Sequence, residues 1–450
     1  MQPRADRLRY RKLDQALSQM TAAVRGGSAY QIRNDALALL ALAHLSTSQG
    51  LGLHDAPRSP IHDLMHLTTA LEAQGRTSRN FWDLFLQNLN RYDDALIGDW
   101  LQIALGSDVS VKDFPSWFST QLDDVGLTGH FGTPPSIADL ISSLLDYREI
   151  STILDPACGT GGLLQAVIQR SGEHALTYGL ESDNEAAAWA VLRFIVCGFH
   201  NVIVKARDAF MDQTRSSATE PTTFDAVVLN PPFGKVFDAR SVSELIKQWG
   251  NEVWSRNSRV SSESAYVHLA FQRLSARGTA AIVVPLGFLV RGAADERLRE
   301  QLIKENAIDG VIGLPGRLFG PGATIDAAIL VLSKRNQNSV KKAVFFIDAR
   351  ELAQRQANRW VLTDETVSSL TKIFNEHQAI PGLSELVPEE ELASQSFSLS
   401  PARYVMQVSA DLRADPLERR KRIDALDEHY AALREEYEAL RIELSGMNSG

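Results

Sequence analysis

The sequence predicts an α/β chain: a doubly wound sheet preceded by a helical N-terminal domain and followed by a coiled-coil-like C-terminal helix. Three observations predict it. Between residues 129 and 334, short runs rich in Val and Ile alternate with longer stretches of helical period. A glycine-rich loop directly follows the first of these runs, and the second run ends on an acid. A double proline stops the fourth. Alternation of this kind implies parallel strands covered by helices on both faces, and such sheets take ligands beyond the carboxyl ends of their strands.

Residues 1–125 read as the helical domain. Apolar residues recur at helical spacing in Leu37, Leu40, Ala41 and His44, and again in Phe81, Leu84, Phe85, Asn88 and Leu89, around a Gly/Pro-rich break from Gly50 to Pro60. The run Ala36 to His44 falls short of the ~18 apolar residues of a membrane helix. The opening MQPRADRLRYRKLDQ has charges but no apolar core behind them, so it does not read as a secretory signal. Two cysteines, Cys158 and Cys197, make no disulfide framework and fit a reducing, cytoplasmic setting. At 44% apolar and 22% charged, the chain can bury ordinary cores.

Residues 126–335 carry the sheet pattern, with strands expected at Ile150–Leu154, Leu176–Leu180, Val202–Val204, Ala226–Leu229, Ala280–Val284, Val311–Ile312 and Ala327–Leu332. Helices fit between them at Gly162–Arg170 and Asn184–Cys197. Residues 336–415 read as a mixed extension. Beyond Pro416, Ile423, Leu426, Tyr430, Leu433, Tyr437, Leu440 and Leu444 form a heptad seam with charged flanks, across 416–450.

The sharpest local feature is Asp155-Pro156-Ala157-Cys158-Gly159-Thr160-Gly161-Gly162 after the first strand. Its glycines allow a tight turn and a close backbone approach to a ligand, and Asp155 can accept hydrogen bonds from a cationic amine. Alone, such a loop is equally a plain strand-to-helix turn. It is joined by Glu181 at the end of the second strand, where a carboxylate suits a ribose diol. The loop lacks the G-x-G-x-x-G spacing that cradles a pyrophosphate, so a nucleoside without phosphates fits better.

After the fourth strand stands Asn230-Pro231-Pro232-Phe233. Two prolines stop a central strand and fix a rigid extended turn. Such a turn presents the Asn amide and a backbone carbonyl to one exocyclic amine, which is positioning and electrostatics without a covalent intermediate. Phe233 offers a flat surface for a flipped base. The bland alternative is a loop stop that carries an aromatic.

These motifs resemble the amino-methyltransferases, and specifically the methyltransferase (M) subunit of type I restriction-modification systems within the N6-adenine DNA methylases. Further resemblance lies in Gly129-His130-Phe131-Gly132-Thr133-Pro134, Gly278 to Pro285, Val311 to Pro315 with Leu318-Phe319, and Phe397 to Tyr404. It implies a Rossmann-like class I methyltransferase sheet and S-adenosyl-L-methionine as cofactor. It further implies that Asp155, Ala157, Cys158, Gly159 and Gly161 line the methionine side and that Thr133 binds the carboxylate end. Glu181 would hold the ribose hydroxyls, Asp208 would sit near the cofactor's adenine, and Asn230, Pro231, Pro232 and Phe233 would take the target adenine. Gly132 departs from the pattern, which has an aromatic there.

Other signals stay in the background. His62 and His66, four apart with His54, Asp55 and Asp63 nearby, have no second half to a zinc motif and read as solvated or core residues, so no metal is expected. Arg413 to Arg422 is broken by Asp415 and Glu418 and reads as a solvated face. Net charge is −9, which argues against holding nucleic acid alone, since neutralising phosphates takes clustered Lys and Arg, but leaves room for DNA chemistry if a basic partner or a local basic patch supplies the surface. The resemblance implies double-stranded DNA as substrate, a separate DNA-specificity subunit docked on the C-terminal helix, and a restriction subunit as a further partner. The rivals are the same chemistry on a protein glutamine or an RNA base, and a non-catalytic scaffold of a defence complex.

Overall fold

The computed structural model describes residues 10–24, 28–49, 85–107, 112–123, 132–210, 220–238, 259–319, 326–335, 342–356 and 359–405, with a few isolated positions besides. The expected coiled-coil helix at 416–450, the histidines at 54, 62 and 66 and the Gly/Pro-rich break lie outside the described residues.

The N-terminal region folds as helices α1 (Arg11–Ala22), α2 (Ala29–Gln49), α3 (Asp94–Gly106) and α4 (Phe114–Asp123). Residues 85–89 are also helical. From Ala36 to Ala43 every residue of α2 is buried, as a helix apolar all round must be. Among the described residues no helix is long and apolar enough to cross a membrane.

After α5 (Pro135–Ser143) the sheet begins. Strand β1 (Thr152–Asp155) leads through α6 (Gly162–Ser171) to β2 (Leu176–Glu181), then through α7 (Asn184–Val196) to β3 (Val202–Ala206). The chain then crosses to β4 (Phe224–Leu229), on the other side of β1. A small hairpin of β5 (Val236–Asp238) and β6 (Arg259–Ser261) leads into α8 (Ser262–Arg273) and β7 (Leu274–Pro285). Helices α9 (Leu286–Val290) and α10 (Ala294–Lys304) precede β8 (Ile308–Gly313) and β9 (Ala327–Ser333).

The sheet is mixed where an all-parallel one was expected. Its order is β13-β10-β8-β9-β7-β4-β1-β2-β3, and β9 runs antiparallel between β7 and β8. Side-chain burial does not mark the reversal: all seven residues of β9 are buried, and the parallel-paired central strands β1, β4 and β8 are also mostly buried. The sheet also continues past residue 335. Strand β10 (Ala343–Asp348) pairs parallel with β8, and β13 (Ser384–Pro388) pairs antiparallel with β10. Between them lie the hairpin β11 (Gln354–Gln356) and β12 (Arg359–Val361) and helix α11 (Asp364–Asn375); α12 (Glu389–Ser394) and α13 (Pro401–Tyr404) follow.

Both sheet faces are covered. On β4, Ala226 and Val228 join one apolar cluster with α5, α6 and α11, while Val227 and Leu229 join the other with α8 and α10. Alternate residues of one strand therefore feed two cores, and the strand reads as a continuous apolar run. A third cluster joins α1 to α4 to Trp189, Leu192, Ile195 and Val196 of α7. The reversal of strand order between β1 and β4 opens a crevice at their carboxyl ends, the place where such sheets take ligands.

Candidate functional site

Asp155 ends β1 at that crevice and is 1% exposed. It accepts a hydrogen bond from the Ala157 N–H at 2.9 Å. Burial, with help from the Glu181 charge, pushes its carboxyl up to about 8. A carboxylate held this far from water is stabilised by a cation brought to it.

The loop after Asp155 is tied down by its own amides. Cys158 N–H donates to Leu180 O at 3.0 Å and Gly161 N–H to Cys158 O at 2.9 Å. Gly159 N–H donates to the Glu181 carboxylate at 2.9 Å. Two glycines are required by geometry. Gly161 has φ +83°, and a Cβ there would meet the Phe194 ring at 2.7 Å. Gly159 has φ +54° and open space where its Cβ would be, so its outer face can admit a ligand. The Cys158 thiol is buried and pushed well up, first by burial and then by Asp155 and Glu181. It stays protonated and packs close to Gly179.

Glu181 ends β2. Its second oxygen accepts from Asp183 N–H at 2.8 Å and Ser182 Oγ at 3.3 Å. A carboxylate has about four acceptor sites, three of which are filled here, so one remains for a ligand hydroxyl and a second opens if the long Ser182 bond is given up. Asp208, just beyond β3, accepts from Phe210 N–H at 2.8 Å. The Phe210 ring meets Tyr266 edge-on at 4.7 Å. The Tyr266 phenol is pushed up by burial and by the charges of Asp208, Glu181 and Asp155. It remains a protonated donor within electrostatic reach of all three acids.

Asn230 follows β4 directly. Its amide Nδ2 donates to Thr133 Oγ at 3.3 Å, leaving Oδ1 as the side chain's acceptor. The next turn is fixed from beyond the prolines: Gly234, at φ +73°, donates its N–H to Glu263 at 3.0 Å. Glu263 is 2% exposed in the first turn of α8, and Ser262 N–H donates to Lys235 O at 2.8 Å. Phe233 is half-buried, with its ring edge-on to Phe319 at 6.4 Å.

The structure thus ties Ala157 to Asp155 and Gly159 to Glu181, brings the two acids within electrostatic reach of each other, and joins Thr133 to Asn230. Asp208 stands on the same strand edge, linked to the two acids through Tyr266. Glu263 and Tyr266 were not read from the sequence, since no spacing marks them and α8 carries them in from a distant segment. A cavity of about 40 Å³ lies elsewhere, between α2 and α7 near Asp35 and Trp189; it is about the room of one water.

Buried Asp155, which a cationic amine would ionise, the open face of Gly159 and the remaining acceptor capacity of Glu181 fit a ligand with a cationic amine and ribose hydroxyls. The neighbouring Asn230 acceptor and aromatic ring fit a planar base with an exocyclic amine.

Residues 120–411 match the family described as N-6 DNA Methylase. The chain is 24% identical over 342 residues to the type I restriction enzyme MjaVIII methylase subunit of Methanocaldococcus jannaschii, covering 71% of this chain and 56% of that protein. It is 25% identical over 293 residues to the MpnII methylase subunit of Mycoplasma pneumoniae, covering 62% of this chain and 53% of that one. The chain spans little more than half the length of these curated relatives. Among solved structures, a type I restriction-modification methyltransferase subunit from Streptococcus thermophilus superposes with a TM-score of 0.71 at 18% identity, over 88% of this chain and 99% of that one. That likeness extends the fold to the helical region.

Proposed function

The chain belongs to the N-6 DNA methylase family, and on that premise we propose that it transfers a methyl group from S-adenosyl-L-methionine to the exocyclic N6 of an adenine flipped out of double-stranded DNA. The observation that carries this reading is the Asn230–Thr133 hydrogen bond, which joins the base-binding turn to the segment expected to hold the cofactor. On this reading the bond would hold the two half-sites side by side.

When bound, the cofactor supplies an electrophilic methyl on a sulfonium. Asp155 would hold its amine, Glu181 its ribose hydroxyls and Thr133 its carboxylate end, with Asp208 near its adenine. Asn230 Oδ1 and the backbone carbonyl of the Pro-Pro turn accept the two N–H bonds of the adenine amine. This would keep the amine's lone pair directed at the methyl; the N–C bond would form as the S–CH3 bond breaks, the sulfonium leaving as a neutral thioether, and the proton lost from the nitrogen would pass to water. Phe233 stacks against the base. Pro231 and Pro232 hold the turn rigid, so little reorganisation is needed at the moment of transfer.

A separate DNA-specificity subunit, docked on the heptad seam of 416–450, would choose the target site, and a restriction subunit would complete the assembly in the cytoplasm. Expression of the chain with its genomic neighbours, followed by mapping of N6-methyladenine in the host genome, tests the reading. Methylation at one defined sequence, lost when residues 416–450 are removed, is expected. Site-specific methylation by the shortened chain alone would overturn the docking, and absence of N6-methyladenine would overturn the chemistry.

A further inference from the structure

The segment 352–363 contains no Asp or Glu but holds Arg355 and Arg359 together with Gln354 and Gln356. It forms the hairpin β11–β12, whose described arginines and glutamines are exposed. The hairpin follows β10, whose end at Asp348 is in register with Gly313 at the end of β8. Both strands run in the same direction as β1 and β4, as the chain of pairings through β9 and β7 requires. The hairpin therefore rises from the strand edge that carries Asp155 and Asn230.

It is tied to the base-binding side by aromatic contacts. Arg355 stands directly opposite Trp360, so the two side chains share one face. The Arg317 guanidinium lies over the Trp360 ring, 5.5 Å from its centre. Two residues on from Arg317, Phe319 meets Phe233 edge-on. Phe233, Leu318, Phe319 and Trp360 all pack on the same apolar cluster. Arg350, by contrast, is neutralised at 2.7 Å by Asp348.

We propose that Arg317 and Arg355, gathered on the Trp360 face, form a phosphate-binding ridge that grips duplex DNA beside the flipped adenine. Both exposed arginines border Trp360, and a phosphate diester held between them would be met by two cations. The inference rests on the DNA reading above, but its test does not depend on methyl transfer.

The full chain is titrated with a labelled DNA duplex across a salt series, as wild type, Arg355→Ala, Arg317→Ala/Arg355→Ala and Arg355→Lys. Removal of each phosphate-binding arginine should make the slope of log affinity against log salt shallower by about 0.9. The double variant is expected to bind duplex about tenfold more weakly at low salt, in keeping with an affinity built on phosphate neutralisation. Arg355→Lys should restore most of the affinity, and binding of S-adenosylmethionine should not change. Unchanged slope and affinity in the double variant would overturn the ridge, as would failure of the wild type to bind duplex or a preference for single-stranded RNA. A wild type that binds duplex through these arginines but never methylates it would uphold the ridge and remove the proposed chemistry.

Discussion

Two sides of one crevice are built on opposite principles. On the β1–β2–β3 side, Asp155, Glu181 and Asp208 bring three carboxylates to adjacent strand ends, each accepting backbone N–H bonds. On the β4–β8–β10 side, Asn230, Phe233, Phe319 and Trp360 take over, with Arg317 and Arg355 outside, and the carboxylates Glu263 and Asp348 are engaged by the Gly234 N–H and by Arg350. The first side suits a small cationic molecule drawn from solution. The second suits a planar base attached to a polyanion. Keeping Asp155, Glu181 and Asp208 off the side proposed for a polyanion would matter, because a phosphate beside an ionised Asp155 would raise the energy of both. One sheet edge can thus hold two ligands of opposite charge if the topological reversal falls between them.

The comparison breaks most sharply at Asn230. Asn230→Ala is expected to cut methyl transfer by at least about 10²–10³-fold, the scale for one electrostatic group at a reacting centre. Calorimetry should find cofactor affinity nearly intact. Transfer at the wild-type rate would remove Asn230 from the chemistry.

Asp155→Asn tests the carboxylate side and has two readouts. Cofactor affinity should fall by about 10–100-fold, the range for a hydrogen bond to a charged group. Stability should move the other way. Burial raises the Asp155 carboxyl from its ordinary 3.8 to about 8 in the folded protein, so ionisation penalises the fold. That penalty is absent below the unfolded value near 4, grows as pH rises, and is complete above about 8. The cofactor-free variant should therefore melt higher than wild type at pH 8.5, by roughly 2–4 °C for each kcal/mol relieved, and equally at pH 4. Matching melting curves at both pH values would show that Asp155 is not held in a charge-averse site.

A paired experiment sharpens the division. Glu181→Ala should weaken S-adenosylmethionine by about 1.5–3 kcal/mol and leave the KM for DNA alone. Phe233→Ala should do the reverse, losing about 1–3 kcal/mol of base stacking. Equal effects of either variant on both ligands would mean that the two sides are not separable. The smallest effect is expected from Glu263, which touches neither ligand. Glu263→Ala frees the Gly234 N–H and should raise the KM for DNA a few-fold, about the cost of one hydrogen bond. Glu263→Gln should restore it, and a 2-aminopurine at the target position should report less complete flipping only in the alanine variant.

Most strands could be read because burial on both faces gives continuous apolar runs, as in Ala226 to Leu229. The two loops that build the crevice could be read because glycine and proline leave local traces where a chain turns tightly. The antiparallel direction of β9 left no such trace, since a run buried on both faces is apolar whichever way it points. The apolar run Val344 to Ile347 was visible as letters, but its place beside β8 is a long-range pairing that no local pattern encodes. Glu263 and Tyr266 were hidden for the same reason. They reach the crevice through the packing of α8, and a lone acid before an apolar helix reads as an ordinary first turn. Thr133 was singled out by resemblance, while its bond to Asn230 needed three dimensions.

Arg193, 1% exposed in the last turn of α7, donates to Asp123 of α4 at 2.6 Å and to Gln165 of α6 at 2.8 Å. Gln165 in turn accepts from Ser119 of α4 at 3.0 Å. Removing one partner of a buried ion pair costs about 3–5 kcal/mol, a large share of the stability of an ordinary domain. A chain begun at residue 126 would strand this guanidinium and expose the Trp189 and Leu192 side of α7 as well. The N-terminal helices and the glycine-rich loop are therefore expected to melt in one cooperative step. They cannot be exchanged among relatives as independent modules unless Asp123 and Arg193 travel together.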